Sequence, residues 1–226
     1  PAWDLSALDR CLIAGRALWF YAAKLLLPIH LSFIYPRWEI DATAVWQYLY
    51  PVGALAVGAL LWIFRSRIGR GPLTGLLFFA GTLTPALGFF NVYPMLYSFV
   101  ADHFQYLASL GLLTLAAAGT SLLAAQLGRR AIGTLTLTLV VAGYSLLTWR
   151  QGQTYADLET LWRSTLANNP NAWIAHNNLA NILRQRGELN QAIRHYRQAL
   201  LLLPGDAQIH LNLADSHQQR GELATA

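Results

Sequence analysis

Residues 176–193 read "HNNLANILRQRGELNQAI", and residues 210–226 read "HLNLADSHQQRGELATA". The second stretch repeats the first at an offset of about 34 residues. Leu179, Ala180, Gly187, Glu188, Leu189 and Ala192 fall on Leu213, Ala214, Gly221, Glu222, Leu223 and Ala226. One step back, Ala192, Tyr196, Ala199 and Pro204 fall on Leu158, Trp162, Thr165 and Pro170. Small residues, an aromatic and a proline recurring in register specify paired helices that stack on their neighbours and bury a shared apolar face.

The period is that of a tetratricopeptide repeat (TPR). It predicts a half repeat over 153–168, a full repeat over 173–206 and the start of another. Ala180 and Ala192 are small where the two helices of a repeat cross, Tyr196 and Leu179 fill the layer between repeats, Gly187 ends helix A and Pro204 stops helix B. Asn177, Asn178, Asn181, Arg184 and Asn212 are the candidate groove residues, because an Asn amide offers a peptide backbone both a donor and an acceptor. The same asparagines also have a purely local structural reading. His176 and His210 share one repeat position, and no set of residues has metal-ligand spacing. Ala226 falls inside a helix B and Pro1 is not an initiator methionine, so a piece of a longer protein is expected.

Upstream of Arg150 the chain changes character. It is 55% apolar and 12% charged as a whole, against about 25% charged in globular chains, and charge is sparse up to Trp149 and denser from Arg150 on. Four apolar runs, 44–64, 73–90, 104–127 and 131–149, approach the ~20 residues needed to cross a bilayer core. The predicted class is all-α: about four membrane spans over 44–149, then a helical solenoid over 150–226. Gly53, Ala56, Gly58 and Ala59 are read as close helix-packing positions. The net charge of +5 comes from clusters, Arg65, Arg67 and Arg70 in one and Arg129 and Arg130 in another. Both flank apolar runs, as cytoplasmic anchors do, so membrane topology accounts for the charge and no nucleic-acid partner is expected. Loop 91–103 and everything after Trp149 then face outward. Residues 1–43 are read as an outer-side interfacial helix and loop, with 8–27 either lying on the membrane or crossing it. The single Cys11 excludes an intrachain disulfide.

Between Ala42 and Trp149 the only acid is Asp102 and the only histidine is His103, in "FVADHFQYLASLG" at 99–111. Asp102 with Gln105 three residues on predicts a capping box opening the third span. The other reading is a polar cluster that meets a charged lipid head group at the outer surface.

Three stretches carry a resemblance. They are "LWFYAAKLLLPIHLSFIYPRW" at 18–38, "ADHFQYLASLG" at 101–111 and "WRQGQTYADLETLWRSTLANNPNAWIAHNNLA" at 149–180. In this order they resemble the membrane glycosyltransferases of the GT-C class that carry a TPR tail, the transmembrane-and-TPR O-mannosyltransferases (TMTC) and their bacterial relatives. The resemblance implies transfer of a sugar from a polyprenyl-phosphate carrier to a protein or envelope acceptor docked by the repeats. The carrier-linked sugar is the donor substrate and no cofactor is implied. A bacterial inner membrane with periplasmic repeats is the implied setting. Arg37, Asp102, His103, Gln105 and Tyr106 become the candidate carrier-phosphate contacts. Where the family has Arg-Tyr after the acid, this chain has His103 and Phe104, and Ala108 stands for Pro. Arg grips phosphate as a permanently charged fork, whereas His is charged only part of the time, which makes Arg37 the alternative cation. The general base belongs to a first outer loop upstream, and no residue of this chain is assigned that role. Glu39 and Asp41 are the nearest acids, and they suit an ion pair better than a buried base. Transfer by residues 1–226 alone is not expected. The competing functions are a non-enzymatic membrane-anchored TPR scaffold for envelope assembly and a polymer ligase or flippase-associated subunit.

Overall fold

In the computed structural model, residues 4–221 are described, and their regular structure is helical. The repeat matches at Glu222, Leu223 and Ala226 lie outside the described residues. Among the described residues nine helices follow in order: α1 (Ala7–Leu26), α2 (Leu49–Ile68), α3 (Gly71–Leu83), α4 (Ser109–Gln126), α5 (Arg130–Gln153), α6 (Leu158–Asn168), α7 (Trp173–Gln185), α8 (Leu189–Leu202) and α9 (Ala207–Gln219), with short 3-10 turns between some of them. They divide into two units. One holds the chain up to Leu31 with Arg37–Trp149, and the other holds Ser32–Pro36 with the chain from Arg150 on.

In the first unit, Val45–Ile68, Ser109–Gln126 and Arg130–Gln153 are long and apolar enough to cross a membrane. Leu55, Leu60, Ile63, Leu122, Leu135 and Leu139 are exposed along them, as side chains solvated by lipid should be. The second expected run, 73–90, behaves differently. Its helix ends at Leu83 after 13 residues, and Pro85 follows in a 3-10 turn. At 1.5 Å per residue α3 covers about 20 Å, short of the ~30 Å core. Proline lacks the donor that would continue the ladder. Among the described residues three helices, not four, therefore have spanning length.

α1 starts on a capping box in which the Ser6 hydroxyl accepts from Asp9 N–H and the Asp9 carboxylate accepts from Ser6 N–H at 2.9 Å. Its buried face, Leu12, Ile13, Ala14, Ala17 and Tyr21, meets the segment after α3. Arg10 donates to the Gly88 carbonyl at 2.8 Å and to Asn91 Oδ1 at 2.8 Å. Gly88 has φ +96° and a Cβ there would stand 2.9 Å from Ile13 Cγ2, so both backbone and space demand glycine. The close helix contacts use other glycines than expected. Gly15 abuts Pro51, and Gly75 on α3 faces Gly111 and Leu115 on α4. A Cβ on Gly58 would meet nothing within 4 Å, and one on Gly53 would make only ordinary contact with Trp19. The sequence places small residues on α2, but the neighbour that fixes which glycine matters is the backbone opposite it.

The repeats fold as the register predicts. α6 is the half repeat, α7 and α8 the full one, and α9 opens the next. Asp157 and Asp206 cap α6 and α9 through Thr160 N–H and Ile209 N–H. Gly187 and Gly221, 34 positions apart, follow α7 and α9 with φ of +79° and +85°, the left-handed conformation that ends a helix. Ala180, Ala192 and Tyr196 have no exposed surface, and Leu179 is nearly as buried. α8 stops at Leu202, just before Pro204. Ser32–Pro36, grouped by the sequence with the outer loop, packs inside this unit. Phe33 lies edge-on to Trp162 at 5.5 Å, and Asn169 donates to the Ile34 carbonyl at 3.4 Å.

Candidate functional site

The polar stretch after α3 forms a 3-10 turn over Asp102–Gln105, and α4 begins only at Ser109. Asp102 is therefore the first residue of the turn, not the cap of the span, and no side-chain cap hydrogen bond forms at either start. The capping-box expectation fails because three residues, Tyr106 to Ala108, lie between the turn and the helix. In a 3-10 turn residues three apart eclipse one another. Asp102 and Gln105 accordingly point inward, half-buried and buried, while His103 and Tyr106 face out. The Gln105 Oε1 is buried without a hydrogen-bond partner.

The partner of this turn is α1. The buried Tyr21 hydroxyl accepts from Ala101 N–H at 3.2 Å. Burial pushes the Tyr21 phenol above its ordinary range, the Ala101 hydrogen bond opposes this, and the Asp102 charge adds to the rise. Burial lowers the Lys24 ammonium and Asp102 works against that. Lys24 Nζ also donates to the carbonyls of Ile29 at 2.6 Å and His30 at 3.3 Å, tying down the chain that leaves α1. An acid in an apolar stretch is stabilised by a nearby cation, and Lys24, one turn from Tyr21, supplies a positive charge within electrostatic reach of Asp102.

Beyond the turn lies an aromatic and cationic layer. The exposed Arg37 guanidinium lies over Phe99 at 4.6 Å. Phe99 packs on Trp38 at 6.3 Å, and Arg16 lies over Trp38 at 4.5 Å and Tyr50 at 5.8 Å. Arg16 and Lys24 belong to the 8–27 segment, in which the sequence singled out no site residue. Asp41 accepts from Thr43 N–H and Oγ1 at 2.8 and 2.7 Å, which holds its carboxyl below the usual range. A general base needs the opposite shift. Among the described residues no group of three His, Cys, Asp or Glu could hold a metal.

The repeat candidates are largely bonded to one another. Asn212 Nδ2 donates to Asn177 Oδ1 at 3.3 Å and Gln208 donates to Asn212 Oδ1 at 3.1 Å. The Tyr196 hydroxyl donates to Asn181 Oδ1 at 2.6 Å, and Arg184 pairs with Asp215 at 4.0 Å. Asn178 is half-buried on the same helix. Two contacts recur by repeat. His176 Nε2 faces the Pro170 carbonyl at 3.0 Å and His210 Nε2 faces that of Pro204 at 2.9 Å. The six-residue Pro-to-His spacing in both repeats was the available signal.

Because His176 Nε2 faces an acceptor, it carries the proton, and His176 Nδ1 accepts from His195 Nδ1–H at 2.9 Å. Burial, then the charges of His176, Arg163 and Arg194, push His195 down to about 4. The unfolded chain therefore binds a proton on this residue first as pH falls. Stability is full above about 6.5 and is lost between about 6.5 and about 4. Amide exchange in α6–α8 of the whole chain should quicken from pH 7 to pH 5, and His195→Gln should flatten that slope. An unchanged slope in the variant would place the titration elsewhere.

Comparison with known proteins places both units in one context. A family model described as TPR repeat matches residues 180–221. "Protein O-mannosyl-transferase TMTC1" from Mus musculus is 31% identical over 219 residues, covering 91% of this chain and 23% of that protein. Its counterpart from Homo sapiens is 30% identical over 217 residues, covering 90% and 24%. "Protein O-mannosyl-transferase Tmtc2" from Drosophila melanogaster is 33% identical over 114 residues, covering 50% of this chain and 12% of that protein. The chain spans about a quarter of the length of the TMTC1 relatives it matches. No solved structure matches. The chain is a TPR protein with helices of membrane-spanning length, similar to the O-mannosyl-transferases.

Proposed function

We propose that this chain is part of a multi-pass membrane glycosyltransferase that moves a sugar from a polyprenyl-phosphate carrier to a protein or envelope acceptor. The carrying observation is a similarity that extends over nine-tenths of the chain, and so over helices of spanning length and repeats together. The Asp102 turn, with Tyr21, Lys24 and Arg37, is the surface at which the carrier head group is handled. The repeats dock the acceptor on the same outer side, in the bacterial case the periplasm. The Arg clusters at 65–70 and 129–130 support that orientation.

The test uses the protein at the length of its relatives, supplied with polyprenyl-phosphate mannose and an acceptor peptide. Asp102→Asn removes one charge and almost no volume. Lys24 then loses its compensating carboxylate, and turnover should fall about tenfold, a barrier increase near 1.4 kcal/mol, while abundance and melting temperature hold. Full activity of the variant would remove Asp102 from the site. Reporter fusions at Gly69 and Gly187 should report opposite sides of the membrane, and the same side for both would overturn the orientation. No sugar transfer by the full-length protein would favour the scaffold.

A further inference from the structure

The repeat array begins on a half repeat. α6 is a helix B, and the register puts its helix A, the counterpart of Trp173–Gln185, at 139–151. Those positions lie on α5, a helix of membrane-spanning length, and up to Trp149 they belong to the first unit. Within its own unit α6 therefore lacks most of the helix A that α8 has in α7. A solenoid end left bare exposes the face that its missing neighbour should bury. In the full repeat the Tyr196 hydroxyl reaches its own helix A at Asn181. Trp162, the matching residue of α6, is nonetheless only 9% exposed.

Ser32–Pro36 stands at that end of the array. Phe33 lies edge-on to Trp162 at 5.5 Å and to Tyr155, ahead of α6, at 6.5 Å. Asn169 ends α6 and is buried, and both ends of its amide are used. Its Oδ1 accepts from Asn171 N–H at 3.2 Å, which aims its Nδ2 at the Ile34 carbonyl, 3.4 Å away. The Ser32 hydroxyl donates to the same carbonyl at 3.0 Å. Ser32, Ile34 and Tyr35 are buried, and none of the five residues is helical. A ring contact for one side chain and an amide on the backbone are the means by which a protein surface holds an extended peptide.

We propose that Ser32–Pro36 is the N-terminal cap of the repeats, docked on α6 in place of helix A, and that this face of α6 is a peptide-binding surface whose occupant the same chain supplies. The ligand class it fits is an extended segment in which an aromatic residue precedes the carbonyl that Asn169 holds. The inference goes beyond the transfer reading and does not depend on it, because it stands on the geometry of the repeat unit alone. It makes the fold of α6 conditional on five residues far upstream, between α1 and α2.

The test uses the whole chain in detergent, with hydrogen exchange read helix by helix. Phe33 is half exposed, so its truncation leaves no closed cavity. Phe33→Ala should speed exchange in α6 about tenfold, the scale of an aromatic pair. The effect should fade towards α9 and be absent from α2–α4, since each repeat is stabilised by its nearest neighbours. Asn169→Ala reaches the contact from the other side and should act in the same direction, and Phe33→Ala decides alone if that variant does not fold. A synthetic peptide of residues 30–38, added at about 5 mM, the scale of the effective concentration of a tethered segment, should restore α6 protection in Phe33→Ala. The same peptide carrying alanine for Phe33 should not. Wild-type exchange of α6 in Phe33→Ala overturns the proposal. So does faster exchange that spreads equally to α2–α4, which would assign Phe33 to the first unit. Exchange that the peptide fails to slow also overturns it, because the segment would then be a fixed strut and α6 no peptide-binding surface.

Discussion

Gly15→Ala is expected to loosen α1 from α2 and to lower the stability of the first unit by about 3 kcal/mol. A Cβ on Gly15 would stand 2.4 Å from Pro51 N, 2.6 Å from its Cδ and 2.7 Å from its Cα. These are atoms of the first turns of α2, so relief requires moving a helix, not rotating a side chain. Intrinsic propensity argues the other way, since alanine in a helix interior is worth up to about 1 kcal/mol over glycine. The contact decides the sign. Gly58→Ala is the matched control, because the same change meets nothing within 4 Å there and should leave stability equal or slightly higher. Thermal unfolding of both variants in one detergent separates the effects. A Gly15→Ala protein as stable as its parent would mean that the α1–α2 crossing is wrong. The consequence reaches the site, because Arg16, Tyr21 and Lys24 ride on the same helix, and a displaced α1 takes all three from their partners.

The repeats were legible because each signal is local and repeats. Gly187 must adopt a positive φ, Pro204 cannot continue a helix, and Ala180 and Ala192 leave room for a crossing, so residue type alone places the elements. The spans 44–64 and 131–149 were legible for the same reason: hydropathy needs no knowledge of neighbours. α3 was misread because a run of apolar residues does not say where helix ends and apolar loop begins. Leu87 is buried past the end of the helix, just after the turn that holds Pro85, so it extends the run without extending the helix. The site was half legible. The isolation of Asp102 in an apolar stretch singles out its turn, but the Ala101 hydrogen bond to Tyr21 that anchors the turn joins positions about eighty residues apart. No periodicity encodes such a contact. Arg16 was passed over because cation–π partners carry no spacing rule, and Ser32–Pro36 because a five-residue segment has no pattern that says which unit will bury it.

Tyr196→Ala should unfold the repeat unit and leave α2–α4 intact. The ring has no exposed surface, and it fills the layer between α7, α8 and α9. Removing a buried aromatic costs about 3–5 kcal/mol, comparable to the whole stability of a small domain. The hydroxyl is a separate contribution. It donates to Asn181 Oδ1 at 2.6 Å. Tyr196→Phe keeps the ring and removes that node, at a cost of about 1–2 kcal/mol. Hydrogen exchange read segment by segment tells the two apart. In Tyr196→Ala, α7–α9 should lose protection together, because each repeat is stable only against its neighbour. In Tyr196→Phe the three helices should stay protected, while Asn181 exchanges its partner for water. The phenylalanine variant then asks a functional question that alanine cannot. Asn181 is a groove candidate now committed to Tyr196, so releasing it should strengthen binding of an acceptor peptide if that side chain clamps its backbone. Unchanged affinity in a folded Tyr196→Phe protein would assign Asn181 to holding the repeats together and leave Asn178 as the polar contact to examine.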